Sequence, residues 1–429
     1  MEKSTYIIGF IVVVLIVLIW WYFKRSEYFE MEGEMQMEME MEMERISIPR
    51  PIAAKLNIIR YDSLKRTVDE ATKDVGADGS LVLVQTRVSS GEKEFVVGSG
   101  TNERNIVSPP TQDTHYRVGS NTKSMTAAVI VLLAQDGKLS LNDPVSKYFS
   151  GVKFGDQITI SLLLNMRSGI FNYNESPIVS GKLIKDPMTV FTPHELLDIG
   201  LSNPPYAYPD TQYHYCNTNY IMLGIIAEQV TGKPLAELFH DRLFVPVGMT
   251  QSYLPGIKDN TIMKPFSHGY ELVDSSYILM HRGGFSPYVM SAVEDGTLKT
   301  EDITYESPSW GWAAGGVIST ARDMTKWIKA LAYGMIFNDT YRTEWLKGFV
   351  SVTPDIPYSP EYGYGIIRML LRGNTAFIHD GQIPGYNSTM VCDVVNNMNM
   401  ITWANLALNV DDQMPGNAIA KRVVALMYD

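Results

Sequence analysis

Tyr116-Arg117-Val118-Gly119-Ser120-Asn121-Thr122-Lys123-Ser124-Met125 carries the transition around which the rest of this chain can be arranged. Residues 116–118 read as a short strand that runs straight into a long apolar helix. From 121 to 135 the chain is mostly apolar, including Ala127-Ala128-Val129-Ile130-Val131-Leu132-Leu133, and Gly137 stops it. A helix that is apolar on every side belongs inside a large domain. Ser120 and Lys123 therefore stand at the N-terminus of a central helix, three residues apart and on one face. Unpaired backbone N–H groups there favour an alkoxide and disfavour a protonated amine. A neutral, partly buried Lys123 then has the properties of a base for the Ser120 hydroxyl, which is a poor nucleophile until its proton is taken. The same spacing recurs at Ser90/Lys93, in a turn-rich stretch, and at Ser150/Lys153, ahead of a loop containing Gly155. Only at Ser120 does a strand enter a long buried helix.

The flanking sequence supplies a sheet for that helix. Upstream, Leu64, Val68, Ala71 and Val75 share one helical face, with Asp62 as the expected cap. Strand-like runs at 80–85 and 95–100 are joined through Ser89-Ser90-Gly91-Glu92. Residues 142–248 read mostly as helices and loops. Beyond Trp310, Gly315-Gly316-Val317-Ile318 predicts a strand, and Thr320-Ala321-Arg322-Asp323 a capping box for a helix reaching Leu331. Strands are expected at 376–379, 388–393 and 398–406, the last two flanking an Asn396-Asn397 turn. A helix carrying Ile419, Val423, Val424 and Met427 ends the chain. Strands and helices at both ends with a helical block between them predict an α+β fold, a sheet interrupted by a helical insert.

Two further stretches carry chemistry. Tyr215-Cys216-Asn217 precedes an apolar helix over 220–230, and no other Tyr-x-Asn occurs in the chain. The Tyr215 phenol has the reach to relay a proton near the lysine; Asn217 is suited to hold a substrate amide, or to cap the helix. His379-Asp380-Gly381 ends a strand-like run. Gly381 would let substrate approach the backbone closely, and the strand edge beyond it would offer the Gln382 N–H to an oxyanion, opposite that of Ser120. His379 would meet a substrate carboxylate or assist proton transfer, a structural histidine being the plainer reading. Lys153-Phe154-Gly155 and His281-Arg282-Gly283 share the pattern but follow no convincing strand.

In that order, Ser-x-x-Lys, Tyr-x-Asn and His-x-Gly resemble the serine β-lactamase and penicillin-binding family, in the branch of class C β-lactamases, D-alanyl-D-alanine carboxypeptidases and related esterases. The likeness runs from about Leu64 to Met427 and includes Leu162-Leu163-Leu164-Asn165-Met166-Arg167-Ser168-Gly169-Ile170, Pro246-Val247-Gly248-Met249 and Ala313-Ala314-Gly315-Gly316. The resemblance implies a β-lactamase/transpeptidase-like α+β fold, an antiparallel sheet flanked by helices with an inserted helical subdomain. It also implies acylation of Ser120, proton handling by Lys123 and Tyr215, and substrate positioning by Asn217, His379, Gly381 and Gln382. The substrate would be a small molecule or peptide with an amide, β-lactam or ester bond. The mechanism it implies needs no metal or cofactor. Where that family has Lys or His, this chain has His379, which implies weaker and more pH-dependent carboxylate recognition than a lysine would give.

Composition fits an ordinary globular chain of 429 residues, 45% hydrophobic and 19% charged. The net charge is −11; nine acidic and four basic residues precede Ile46, so the remainder is only mildly acidic. No basic footprint for nucleic acid is present. The two cysteines, Cys216 and Cys392, match no zinc spacing and read as free thiols. Residues 6–23 form an unbroken apolar run, closed by Trp20-Trp21-Tyr22 and Lys24-Arg25. It predicts an uncleaved single-pass membrane anchor over 1–25, with no clear orientation, since Lys3 balances the basic pair. Residues 26–50, in which Met and Glu alternate from Glu38 to Glu44, read as a solvated spacer, or as a Met-rich surface for a metal or helix. The domain itself is expected over 51–429. Oligomeric state is not legible. Two functions are consistent with these features: a membrane-anchored serine hydrolase, or a catalytically idle relative with a binding or assembly role.

Overall fold

Alternation sorts the residues of the first hairpin onto two sides. β1 (Gly79–Val88) and β2 (Gly91–Gly100) pair antiparallel, Val82 opposite Val97. Leu81 and Leu83 enter one apolar cluster while Val82 and Val84 enter another, as the two-residue period of a strand requires. In the computed structural model, which describes residues 54–88, 91–272, 299–409 and 413–428, this hairpin borders the main sheet. The chain continues through β3 (His115–Arg117), β4 (Tyr270–Glu271), β5 (Glu301–Asp302) and β6 (Ile318–Thr320), which pair as β3 with β6 and β4 with β5. It then forms β7 (Val350–Ser351), β8 (Glu361–Tyr362), β9 (Ile367–Leu371), β10 (Asn374–Ile383), β11 (Tyr386–Asp393) and β12 (Met398–Ala404). Among the described residues the main sheet has eight strands in the order β2-β1-β12-β11-β10-β9-β8-β7, every neighbour antiparallel. β1 and β12, from opposite ends of the domain, are adjacent, with Leu81 opposite Trp403.

Helices cover both faces. α1 (Tyr61–Asp74) buries Leu64, Val68 and Ala71 against the side holding Val82 and Val84, and the C-terminal helix Pro415–Tyr428 adds Ile419, Val423 and Met427. On the other side lies α2 (Thr122–Gln135), in which every residue from Thr122 to Ala134 is buried. Burying one Leu or Ile side chain stabilises by about 1.5–3 kcal/mol, so a helix enclosed on all sides is held rigidly. α3 (Asn217–Thr231), equally apolar, and α4 (Ala321–Ala332) complete this layer. The Thr320 side chain accepts from the Asp323 N–H and starts α4, which is half of the predicted capping box; the Asp323 carboxylate turns instead to Gln251 N and Lys326 Nζ.

Several local expectations are corrected. Asp62 lies inside the first turn of α1, and Arg60, at the cap position, makes no side-chain cap bond. Asn217 is the first residue of α3 rather than its cap, which is Cys216. Gly315-Gly316 does not begin a strand: Trp312–Gly315 forms a short helix, and β6 starts at Ile318. That turn aims the Ala313 and Ala314 carbonyls at α2, where Thr126 Oγ1 and Lys123 Nζ meet them. The strand expected at 376–379 runs on to Ile383 because pairing with β11 continues to Tyr386. The turn at Asn396-Asn397 does join β11 to β12, with Asp393 Oδ1 accepting the Val395 and Asn396 N–H groups.

Residues Ile52–Asp429 form one compact unit. The apolar run at 6–23, the spacer at 26–50, Ser90 and His281-Arg282-Gly283 lie outside the described residues. Among the described residues no helix is long and apolar enough to cross a membrane.

Candidate active site

The turn that presents Ser120 is fixed from three sides. Gly119 adopts φ +55° and begins a 3-10 turn, Gly119–Asn121, between β3 and α2. Asn121 Nδ2 donates to Val118 O at 3.1 Å and to Ser388 Oγ of β11 at 2.8 Å. Val317 N donates to Thr122 Oγ1 at 3.1 Å, and Trp327 Nε1 of α4 donates to Ser124 Oγ at 2.8 Å. Ser120 is half-buried and Lys123 fully buried. Lys123 Nζ lies 2.9 Å from Ser120 Oγ and 2.7 Å from Ala314 O. The same nitrogen sits 4.8 Å from the centre of the Tyr215 ring and 5.7 Å from that of Tyr220.

Tyr215 reaches this point on a braced segment. Met166 adopts φ +64°. Its carbonyl accepts from His214 N at 2.9 Å, and its sulfur from Cys216 N at 3.3 Å. The Cys216 thiol donates to Ile170 O at 3.3 Å. Burial holds the Tyr215 phenol well above its ordinary pKa, with a hydrogen bond to Ser120 acting in the opposite direction. The phenol is therefore protonated at neutral pH. Burial pushes the neighbouring Cys216 thiol up to about 11, which leaves it an inert core residue; Cys216 and Cys392 are both free and buried, as expected. Asn217 is half-buried, and its backbone N–H donates to Asn172 Oδ1 at 3.1 Å.

β10 closes the third side. β9 pairs with it only as far as Ile378, leaving the edge from His379 onward to the Ser120 turn. A Cβ on Gly119 would lie 2.8 Å from Gln382 N, so Gln382 and the Ser120 turn meet backbone to backbone. Gly381 works differently from expectation. A Cβ there would stand 2.0 Å from Val118 O and 3.0 Å from Asn121 Nδ2. The space its missing side chain leaves is filled by the turn itself, because strand and turn must touch to bring Gln382 beside Ser120. His379 is buried, with Nδ1 2.6 Å from Asp380 O and Nε2 3.2 Å from the Tyr362 hydroxyl. Burial lowers its pKa to about 4, with Asp380 opposing that shift and Lys123 reinforcing it. Asp380 points to the other face of the sheet, where Asn417 Nδ2 donates to it at 3.1 Å.

The three stretches singled out in the sequence thus converge. A serine hydroxyl with an amine at 2.9 Å and a protonated phenol in hydrogen bond is equipped to lose its proton as it attacks a carbonyl. Sequence reasoning missed Tyr362, Tyr220 and the Ala314 carbonyl. One signal was available for the first: Tyr362-Gly363-Tyr364-Gly365 alternates large and absent side chains. A Cβ on Gly365 would lie 2.6 Å from Lys123 O, so this stretch is pressed onto the start of α2. Ala313-Ala314-Gly315-Gly316 belongs to the family likeness, but nothing local marks the Ala314 carbonyl as the partner of Lys123.

A β-lactamase family model matches residues 66–423. The protein PbpX of Bacillus subtilis (strain 168) is 26% identical over 319 residues, covering 73% of this chain and 67% of PbpX. Protein flp of Staphylococcus aureus (strain MRSA252) is 23% identical over 338 residues, which cover 76% of this chain but only 59% of flp. Among solved structures, a D-stereospecific amidohydrolase from Streptomyces sp. superposes with a TM-score of 0.70 at 24% identity, over 85% of this chain and 98% of that one.

Proposed function

The chain belongs to the β-lactamase family, and from that premise we propose that it is a serine hydrolase whose acyl-enzyme forms on Ser120. The observation that carries this is the 2.9 Å contact between Lys123 Nζ and Ser120 Oγ inside a buried, braced site. As Ser120 Oγ attacks a carbonyl, its proton passes to the Lys123 nitrogen, which Ala314 O orients. The negative charge on the former carbonyl oxygen is taken by the Ser120 and Gln382 backbone N–H groups. The bond to the leaving amine or alkoxide breaks, and Tyr215 relays the proton to it. A phenol that stays protonated at neutral pH suits this donor step better than it suits the role of initial base. Asn217, at the start of α3, holds the substrate amide. Water then cleaves the acyl ester.

The bonds in question are amides, β-lactams or esters of a small molecule or peptide. The amidohydrolase among the fold neighbours makes an amide the first substrate to try. The apolar run at 6–23, with its aromatic and basic border, supports tethering of the domain to a membrane.

A fluorophosphonate or fluorescent penicillin should label the protein and add one acyl or phosphonyl mass. Ser120→Ala should not label. Labelling that persists in Ser120→Ala would place the nucleophile elsewhere, and a wild-type protein inert to probes, β-lactams, D-alanyl peptides and short esters would identify an idle relative.

A further inference from the structure

The hydrogen bonds around His379 determine its tautomer. Asp380 O, 2.6 Å from Nδ1, is a carbonyl and can only accept. Nδ1 therefore carries a proton, and because burial keeps the ring neutral, Nε2 is left as a lone pair facing the Tyr362 hydroxyl at 3.2 Å. That hydroxyl must donate. Tyr362 is itself buried, its ring edge-on to His379 at 5.9 Å and to Tyr215 at 6.2 Å. Both imidazole nitrogens are thus engaged within the protein, and no N–H of His379 is left for a ligand. The titratable groups facing the ring are Asp380 on its own strand, Lys123 on α2 and the Tyr362 phenol, and burial outweighs the first.

Resting on the serine hydrolase reading, we propose that Tyr362 is a positioning residue that occupies the remaining nitrogen of the buried His379 ring, so that the ring stands as a fully engaged wall of the site. It follows that the site prefers substrates with no carboxylate beside the scissile bond. A carboxylate placed against β10 meets a lone-pair-bearing, neutral imidazole already occupied by a phenol, and would lose water without gaining a charged partner. An amide or ester group at that place needs no cation.

The test compares N-acetyl-D-alanyl-D-alanine with its C-terminal amide, cleavage of the Ala–Ala bond being read as release of D-alanine or D-alaninamide so that hydrolysis of the terminal amide itself is not counted. Wild-type protein should favour the amide in kcat/KM by about tenfold or more, the size of one absent charge-assisted hydrogen bond, with a ratio flat from pH 5.5 to 8. In Tyr362→Phe the Nε2 lone pair loses its donor, which favours the protonated ring, and the ratio should fall below the wild-type value as the pH is lowered from 8 to 5.5. A merely structural role for Tyr362 would slow both substrates alike and leave the ratio unchanged, which would overturn the proposal. So would a wild-type preference for the free acid. Independently of turnover, nitrogen NMR of histidine-labelled protein at pH 6 should show a neutral Nδ1–H ring that is lost in His379→Gln; an imidazolium there would refute the idea. Failure of Ser120 to label at all would instead bring down the hydrolase reading, and this one with it.

Discussion

His379 and Tyr215 show how burial sets charge states in this site. His379 titrates near 6.5 in an unfolded chain and at about 4 when folded. Between those values the unfolded state binds the additional proton. Stability is therefore complete above about pH 6.5 and declines as pH falls towards and through about 4. Lowering the pH from 7.5 to 5 should cost the wild-type protein about 2 kcal/mol more than His379→Gln, measured from urea unfolding at the two pH values. Equal losses in both proteins would mean that His379 is not buried as a neutral ring. The same desolvation keeps Tyr215 protonated, which suits the phenol to the proposed donor step beside Ser120.

At the scale of elements, the site is made by backbone touching backbone. β10 and the turn before α2 approach so closely that Gly381 and Gly119 have no room for a Cβ. Gly381→Ala should destabilise by about 1–3 kcal/mol through overpacking and slow the labelling of Ser120, because the turn must shift away from Gln382. Gly181, in the helix Pro177–Lys185, has nothing within 4 Å of the added Cβ position. Gly181→Ala should instead be neutral or stabilising by about 0.5–1 kcal/mol. Thermal unfolding of the two variants separates a steric requirement from a general intolerance of alanine.

For the whole molecule, the two ends of the domain are knitted together. Ala54 N donates to Arg372 O at 3.0 Å and Asn57 N to Met427 O at 2.8 Å, so the chain is anchored to the domain almost from its first described residue. A chain trimmed to begin at Ile52 should keep its Tm within about 2 °C and its full Ser120 labelling, while losing association with lipid vesicles. Retained vesicle binding would move the membrane contact into the domain. A large fall in Tm would mean that residues 1–51 contribute to the folded core.

Periodicity alone was enough to find α1, α2, α4 and the strands around them, because a buried face imposes its spacing on neighbouring residues. It also placed Ser120 at a helix start, since that position depends only on a local strand-to-helix transition. Element boundaries were less legible: β10 continues to Ile383 because β11 lies alongside, a fact no window of β10 contains. The roles of Gly381, Tyr362 and Ala314 came only from the tertiary structure. Each acts through an atom hundreds of residues distant or on another element, and a contact of that kind leaves no mark on spacing. Residue type declared which groups could do chemistry; packing decided which of them are charged, which are engaged and which meet.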